Sequence, residues 1–139
     1  MELLNGRVHD LHDRKVCVLG LTFKAKTDDT GASQSLSLIR KLYDSGARVW
    51  VHDPMANENT LPKDVRGMFY RCEDVAKCTD KATAVFLMTD WPVYRDIGIQ
   101  EIVSRMDQKL FIDGRRLFAR SVIPAGVEYL ALGSKAQSE

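Results

Sequence analysis

The sequence predicts a doubly wound α/β domain with a mostly parallel sheet of about five or six strands and helices on both faces. Short apolar runs alternate along the chain with segments whose apolar residues recur at helical spacing. Several runs, such as 83–88, are apolar at consecutive positions, which indicates strands buried between two helical layers. The length of 139 residues fits one domain of ordinary size. The expected architecture is therefore Rossmann-like.

Each predicted strand is a short apolar run that ends close to a turn-forming residue. The first run reads Val-Cys-Val-Leu and is closed by Gly20. The second ends at an Asp-Pro pair, which cannot continue a central strand. The predicted strands are Lys15–Gly20, Ala47–His52, Thr83–Met88, Lys109–Asp113 and Val127–Leu132, with a weaker candidate at Met68–Arg71.

The clearest helical pattern covers Ser35–Asp44, where Leu36 and Leu42 fall on the same face. Ser33 is placed to cap the start of this helix, and Gly46 is placed to end it. Two weaker patterns predict a short helix and an interrupted one later in the chain. These are Glu73–Cys78 and parts of Tyr94–Met106.

Three regions of the chain lie outside this alternation. Residues 1–14 read as a helix or an inter-domain connector, and the stretch 55–67 as a polar loop. Residues 134–139 are a polar tail. The predicted domain therefore occupies residues 15–133.

Composition and residue patterns limit which binding partners and which cellular compartment are expected. The chain carries 20 basic and 19 acidic residues, so no strong field favours nucleic acid. No apolar run reaches the length of a membrane span, and no signal peptide is visible, so we expect a cytoplasmic protein. The three cysteines, Cys17, Cys72 and Cys78, match no zinc spacing, and the histidines are scattered. We therefore expect free thiols and no metal site.

The predicted sheet locates the ligand site at the loops that follow its strands, because open α/β sheets bind ligands beyond the carboxyl ends of their strands. These loops begin at Gly20, Asp53, Thr89 and Gly114. The first loop supplies an aromatic side chain and two lysines, and the fourth supplies adjacent arginines. Such cations would converge on a phosphate or a carboxylate. The side chains in question are Phe23, Lys24, Lys26, Arg115 and Arg116.

Simpler interpretations of the same residues stay open. A loop lysine is more often solvated than bound to a ligand. The neighbouring Asp28 and Asp29 fit a turn or a helix start better than an acid–base pair. Trp91 and Pro92 are more typical of a packed turn than of a stacking platform.

The first loop does not match a dinucleotide fingerprint. G-x-G-x-x-G requires closely spaced glycines between a strand and a helix. Here Gly20 is followed by bulky residues, and the next glycine is Gly31. We therefore expect no NAD site on this domain.

Four segments resemble the C-terminal domain of the UDP-glucose/GDP-mannose dehydrogenase family. Val18–Asp29 is similar to the family's G-L-x-F-K-x-x-T-D-D motif, and Val49–Pro54 to its V-x-x-Y-D-P strand end. Phe86–Trp91 resembles its L-x-T-E/D-W segment, and Phe111–Arg115 its D-G-R segment. The order and the intervals also fit, over almost the whole chain.

This resemblance implies that separate domains bind the cofactor and the substrate. The family's complete enzymes bind NAD on an N-terminal Rossmann domain, dimerise through a central helical region and bind the nucleotide sugar on the C-terminal domain. They oxidise a sugar alcohol to a uronic acid, as in the UDP-glucose 6-dehydrogenases of polysaccharide biosynthesis. The reaction uses a catalytic cysteine, and none of the cysteines of this chain lies at a matching position. We therefore assign it no catalytic residue and expect it to be inactive without NAD-binding and central domains, whether these belong to a parent enzyme or to a partner chain.

The resemblance also implies roles for individual residues. Phe23, Lys24 and Arg115 would contact a UDP- or GDP-linked sugar. The supporting residues would be Asp90, Trp91 and Asp113.

One departure from the family pattern bears on function. The family continues T-D-D-x-R-x-S-P into the helix, whereas this chain has Gly31 in place of the arginine and Gln34 in place of the proline. The loss of an arginine that reaches toward the cofactor side counts against NAD-coupled function. The alternative function is a stand-alone nucleotide-sugar sensor or a dimerisation module, and a small flavodoxin-like protein is a weaker third.

Overall fold

A six-stranded, all-parallel sheet forms the centre of the computed structural model of the chain. The structure describes residues 12–21, 34–54, 61, 63–89, 91–114, 118 and 120–131. The predicted α/β class and the parallel sheet are confirmed. The strands are β1 Lys15–Leu19, β2 Arg48–His52, β3 Tyr70–Arg71, β4 Ala84–Leu87, β5 Leu110–Asp113 and β6 Glu128–Ala131.

The strands lie in the order β3-β2-β1-β4-β5-β6. The chain therefore builds one half of the sheet outward from β1 and then returns to β4 to build the other half. The carboxyl ends of β1 and β4 flank the point where the direction of building reverses. In open α/β sheets this switch point is where a crevice for ligands opens.

Helices cover both faces of the sheet. Successive residues of a strand point to opposite faces, so Val16 and Val18 enter one core layer, and Cys17 and Leu19 the other. The first layer is closed by α1 and α2, and the second by α3, α4 and α5. The helices are α1 Gln34–Asp44, α2 Lys63–Arg66, α3 Val75–Thr79, α4 Pro92–Ile97 and α5 Ile99–Ser104, and a 3-10 turn covers Arg120–Val122.

Helix α1 ends as the sequence predicts. Gly46 has a φ of 86°, which a side chain would disfavour. Its N–H donates to the carbonyl of Tyr43, and the N–H of Ala47 donates to that of Leu42. This pair of hydrogen bonds is the Schellman arrangement, which satisfies the last carbonyl groups of a helix. The predicted cap at Ser33 lies outside the described residues.

One of two weaker predictions along the chain differs from the structure. Helix α2 lies in the stretch 55–67, predicted to be a loop. It is a single turn with one buried side chain, Val65, so it is too short to give the sequence a helical pattern. The interrupted helix predicted within Tyr94–Met106 is confirmed, since Gly98, with a φ of 87°, separates α4 from α5. Most of the segments 1–14 and 134–139 lies outside the described residues, and the domain division stays a prediction.

The expectation of free thiols is wrong for two of the three cysteines. Cys17 of β1 and Cys78 of α3 form a disulfide, with their Cα atoms 5.6 Å apart. Their separation of 61 residues hides this proximity in the sequence, since it arises only when α3 packs on the sheet. Cys72 is a free, buried cysteine, and burial raises the pKa of its thiol.

Within the described ranges, no helix is long and apolar enough to cross a membrane. The same residues contain no cluster of three or more side chains suited to holding a metal ion.

Candidate functional site

The carboxyl ends of the four central strands meet at one edge of the sheet. Leu19, the last residue of β1, pairs with His52 of β2 on one side and with Leu87 of β4 on the other. Leu87 in turn pairs with Asp113, the last residue of β5. The loops that the sequence singles out therefore begin side by side.

Asp53 fixes the base of the first loop and the base of the third. Its side chain is buried immediately beyond β2. The carboxylate oxygen Oδ2 accepts a hydrogen bond of 2.7 Å from the backbone N–H of Leu21 and another of 3.3 Å from the indole Nε1 of Trp91. Arg71 adds a contact of 2.9 Å from its guanidinium to the backbone carbonyl of Asp53. A single carboxylate oxygen thus joins two loops that are far apart in sequence.

Gly20 brings the first loop close to the third. Its φ is 106°, and a Cβ atom at this position would lie 2.8 Å from the backbone nitrogen of Thr89. Ser35, in the first turn of α1, donates from its hydroxyl to the carbonyl of Gly20 at 2.7 Å. Only glycine combines this conformation with this close approach, so the residue type follows from the packing.

Asp113 holds the base of the fourth loop. Its carboxylate is fully buried, and Oδ2 accepts hydrogen bonds from the Tyr129 hydroxyl at 2.6 Å and from the backbone N–H of Phe118 at 3.0 Å. The N–H of Gly114 donates to the carbonyl of Leu87 at 2.7 Å. Both the start and the return of the loop are therefore tied to the sheet.

His52 and Tyr94 form a buried polar pair beneath this edge. The Tyr94 hydroxyl donates to the backbone carbonyl of His52 at 3.0 Å. Because the hydroxyl proton is used in this bond, Nδ1 of His52, which lies 3.0 Å from the Tyr94 hydroxyl oxygen, is assigned as a donor to that hydroxyl oxygen. Burial lowers the pKa of His52, against a smaller opposing effect of Asp53. Burial also raises the pKa of Tyr94 well above its ordinary value. Both groups are therefore held neutral, which suits a packing role rather than acid–base work.

A family model described as "UDP-glucose/GDP-mannose dehydrogenase family, UDP binding domain" matches residues 17–120, more than half of the chain. The chain belongs to this family. The match begins inside β1 and ends just beyond the fourth loop, so it includes all the loops described above.

Curated relatives of the chain include known enzymes of this family. The chain is 33% identical over 127 residues to the UDP-glucose 6-dehydrogenase of Rickettsia bellii, an alignment that covers 91% of the chain and 29% of the relative. It is 35% identical over 122 residues to the UDP-glucose 6-dehydrogenase of Pseudomonas aeruginosa, with 85% and 26% covered. The chain thus spans less than a third of the length of these relatives.

Solved structures of the family show the same fold. The UDP-glucose dehydrogenase of the archaeon Pyrobaculum islandicum matches with a TM-score of 0.70 at 34% identity, covering 95% of this chain and 28% of that one. An NDP-N-acetyl-D-galactosaminuronic acid dehydrogenase from Methanosarcina mazei matches with a TM-score of 0.77 at 21% identity, covering 94% and 26%. At that lower identity the likeness concerns the fold alone.

The side chains expected to contact ligand in this UDP-binding domain are Phe23, Lys24 and Arg115, which lie outside the described residues, as does Asp90. Their roles stay predictions. The structure does place the other two predicted residues, Trp91 and Asp113, both buried at the carboxyl edge.

Sequence reasoning missed the contribution of Asp53, which it treated only as the residue where the second strand ends and the second loop begins. It also missed Ser35 and Tyr129, each of which ties a loop base to the sheet. One signal was present for Asp53, because an acidic residue directly after a buried strand has to find donors nearby. No comparable signal marks Tyr129, whose partner lies on a neighbouring strand.

Proposed function

We propose that this chain is the nucleotide-sugar-binding domain of an NAD-dependent nucleotide-sugar 6-dehydrogenase that oxidises a sugar alcohol to a uronic acid. The observation that carries the proposal is the match of the UDP-binding domain model over residues 17–120. The named activity of the curated relatives supports the reaction, because those of Rickettsia bellii and Pseudomonas aeruginosa are UDP-glucose 6-dehydrogenases. The chain corresponds to only part of those enzymes, so hydride transfer needs the remaining domains.

The proposed ligand contacts lie on the first and fourth loops. Lys24 and Arg115 would meet the diphosphate or the sugar, and Phe23 would pack against the ligand. A guanidinium suits a phosphate because its N–H groups form paired hydrogen bonds with two oxygens. The described bases of these loops support the proposal, since Asp53 and Asp113 hold them at the carboxyl ends of β1 and β5, on either side of β4.

NAD does not fit the described part of this domain. A dinucleotide site uses backbone N–H groups directly after the first strand to bind the pyrophosphate. Here the N–H of Leu21 donates to Asp53, and the Leu21 side chain is completely buried. In the described part of the chain, the helix that follows is α1, described from Gln34 onward. The NAD of the proposed enzyme therefore belongs to a separate domain.

The first experiment is a calorimetric titration of the purified chain with UDP-glucose, UDP-N-acetylmannosamine, GDP-mannose and NAD. We expect one nucleotide sugar to bind and NAD not to bind. Lys24→Ala and Arg115→Ala should each weaken binding by about 1.5–3 kcal/mol, because each removes a charge-assisted contact.

The matched controls are Lys41→Ala and Arg105→Ala. Lys41 is an exposed lysine in the last turn of α1, and Arg105 is an exposed arginine paired with Glu101 after α5. Both should leave affinity unchanged. Equal affinity of the Lys24 and Arg115 variants with the parent would contradict the site, and a clear NAD titration would contradict the domain assignment.

A second candidate function is a nucleotide-sugar sensor or dimerisation module without catalysis. Gly31 favours it, because the family has an arginine at this position. The two candidates separate when the protein is purified from its own cells together with any associated polypeptides and supplied with UDP-glucose and NAD. Formation of NADH supports the dehydrogenase, whereas sugar-nucleotide binding without NADH supports the module.

A further inference from the structure

The hydrogen bonds of Asp53 link two loops of the proposed ligand site. Leu21 is the second residue of the first loop, and Trp91 stands at the end of the third, directly before α4. Both donate to the same oxygen of Asp53, which belongs to neither loop. The Asp53 side chain is 3% exposed and Trp91 is 5% exposed, so water does not compete freely for these bonds.

We propose that Asp53 is a positioning residue for the nucleotide sugar: it sets the affinity of the domain by holding the first and third loops in register, without touching the ligand itself. This inference rests on the proposed function.

The sheet itself does not depend on the Asp53 side chain. Strand β2 ends at His52, which pairs with Leu19 through the backbone, and Asp53 is absent from both apolar core clusters. Removing the carboxylate would leave the N–H groups of Leu21 and Trp91 buried without their acceptor. We therefore expect the damage to concentrate at the loop bases rather than in the sheet.

A displacement at the loop bases would reach the predicted ligand contacts over a short length of chain. Lys24 follows Leu21 by three residues, so their Cα atoms are at most about 11 Å apart. A charge-assisted contact with a phosphate depends on distance and direction. A small shift at Leu21 would therefore weaken the contact made by Lys24.

The test combines a ligand-free signature with an affinity. Trp50→Phe leaves Trp91 as the only tryptophan. The buried indole nitrogen of Trp50 has no hydrogen-bond partner, so this background removes no hydrogen bond of the indole and keeps an aromatic ring beneath Lys15. In this background Asp53→Ala should shift Trp91 fluorescence to the red and speed amide hydrogen exchange at Leu21. Titration with UDP-glucose should show a loss of affinity of about tenfold or more.

Two further variants separate positioning from general destabilisation. Asp53→Asn keeps a carbonyl oxygen that can accept from both donors, so it should recover most of the lost affinity and the parent emission. Val65→Ala creates a cavity in the α2 layer, on the opposite side of the sheet from Trp91. It should lower the unfolding temperature and leave the affinity for UDP-glucose within twofold of the parent.

Each outcome decides something specific. An affinity within twofold of the parent in a folded Asp53→Ala variant overturns the inference, and so does unchanged Trp91 emission and Leu21 exchange. If the alanine variant does not fold, Trp91→Phe replaces it, with an expected loss of several-fold, and unchanged affinity overturns the inference. If the parent binds no nucleotide sugar, the proposed function fails and this inference with it, while the emission and exchange data still show whether Asp53 holds the loops.

Discussion

At the amino-terminal edge of the sheet, lysine side chains reach the carbonyl groups at helix ends, whereas at the carboxyl edge buried carboxylates accept hydrogen bonds from N–H and O–H groups. Lys15 donates from Nζ to the carbonyls of Lys77 and Asp80 at the end of α3, both at 2.8 Å. Lys109 contacts the carbonyl of Val103 near the end of α5 at 3.2 Å. At the opposite edge, Asp53 and Asp113 are almost completely buried.

The difference follows from the role of each edge. A lysine on a long flexible stem can hold a helix end and still keep its charge in contact with water. A buried carboxylate has to find all its hydrogen-bond donors within the protein, so the donors must be accurately placed. Removing the carboxylate leaves those donors buried without an acceptor, which lowers the free energy of unfolding. At the edge that carries the proposed ligand loops, the loop bases are thus held by buried, directional hydrogen bonds, which favours preorganised binding.

The largest effect is expected for Asp113→Ala at the carboxyl edge. This change leaves the Phe118 N–H without its carboxylate acceptor and removes one of two acceptors of the Tyr129 hydroxyl, which also contacts the Phe118 carbonyl at 2.9 Å. The free energy of unfolding should therefore fall by about 2–3 kcal/mol. Urea unfolding measures it. The control Asp107→Ala removes an exposed aspartate beyond α5 and should change stability by less than about 0.5 kcal/mol. Similar small losses in both variants would show that burial of the carboxylate is not what matters at this edge.

The sequence predicts the strands and helices of this fold better than the contacts between side chains that are far apart in the chain. Apolar runs and helical spacing reveal the five longer strands and α1, because burial on a sheet or a helix face imposes a local period on the sequence. The Cys17–Cys78 bond and the contact of Asp53 with Trp91 have no such local trace. Each joins residues that only the completed packing brings together.

The same reason limits prediction of the site. The strand-end rule locates the loops at Gly20, Asp53, Thr89 and Gly114, since it depends only on strand direction. The rule does not say which polar residue faces the ligand and which supports a neighbouring loop. Asp53 belongs to the second kind, and only its hydrogen bonds with Leu21 and Trp91 reveal this.

A smaller, pH-dependent effect is expected from His52, also at the carboxyl edge. Burial lowers the pKa of His52 in the folded chain, whereas the unfolded chain takes up a proton near pH 6.5. Below that pH the unfolded state binds more protons, so the free energy of unfolding should fall as the pH falls from about 7 towards 5.

Urea unfolding at several pH values measures the contribution of His52. His52→Gln should flatten the profile between about pH 7 and 5, because glutamine does not titrate. The exposed His12 provides the control, and His12→Gln should leave the decline in place. If the free energy of unfolding falls equally in His52→Gln, the acid sensitivity arises from other groups, and His52 contributes no pH dependence at the carboxyl edge.

The smallest effect is expected at the amino-terminal edge, for Lys15→Met. Methionine keeps the apolar stem over Trp50 and removes the ammonium, which lies 4.6 Å from the centre of the indole ring. The contacts with the end of α3 and with the ring are partly exposed, so the free energy of unfolding should fall by only about 0.5–1 kcal/mol. The loss should shrink further at high salt, because exposed charges are screened. A loss as large as that of Asp113→Ala, and independent of salt, would mean that the amino-terminal edge is held as rigidly as the carboxyl edge, and the contrast between them would have to be abandoned.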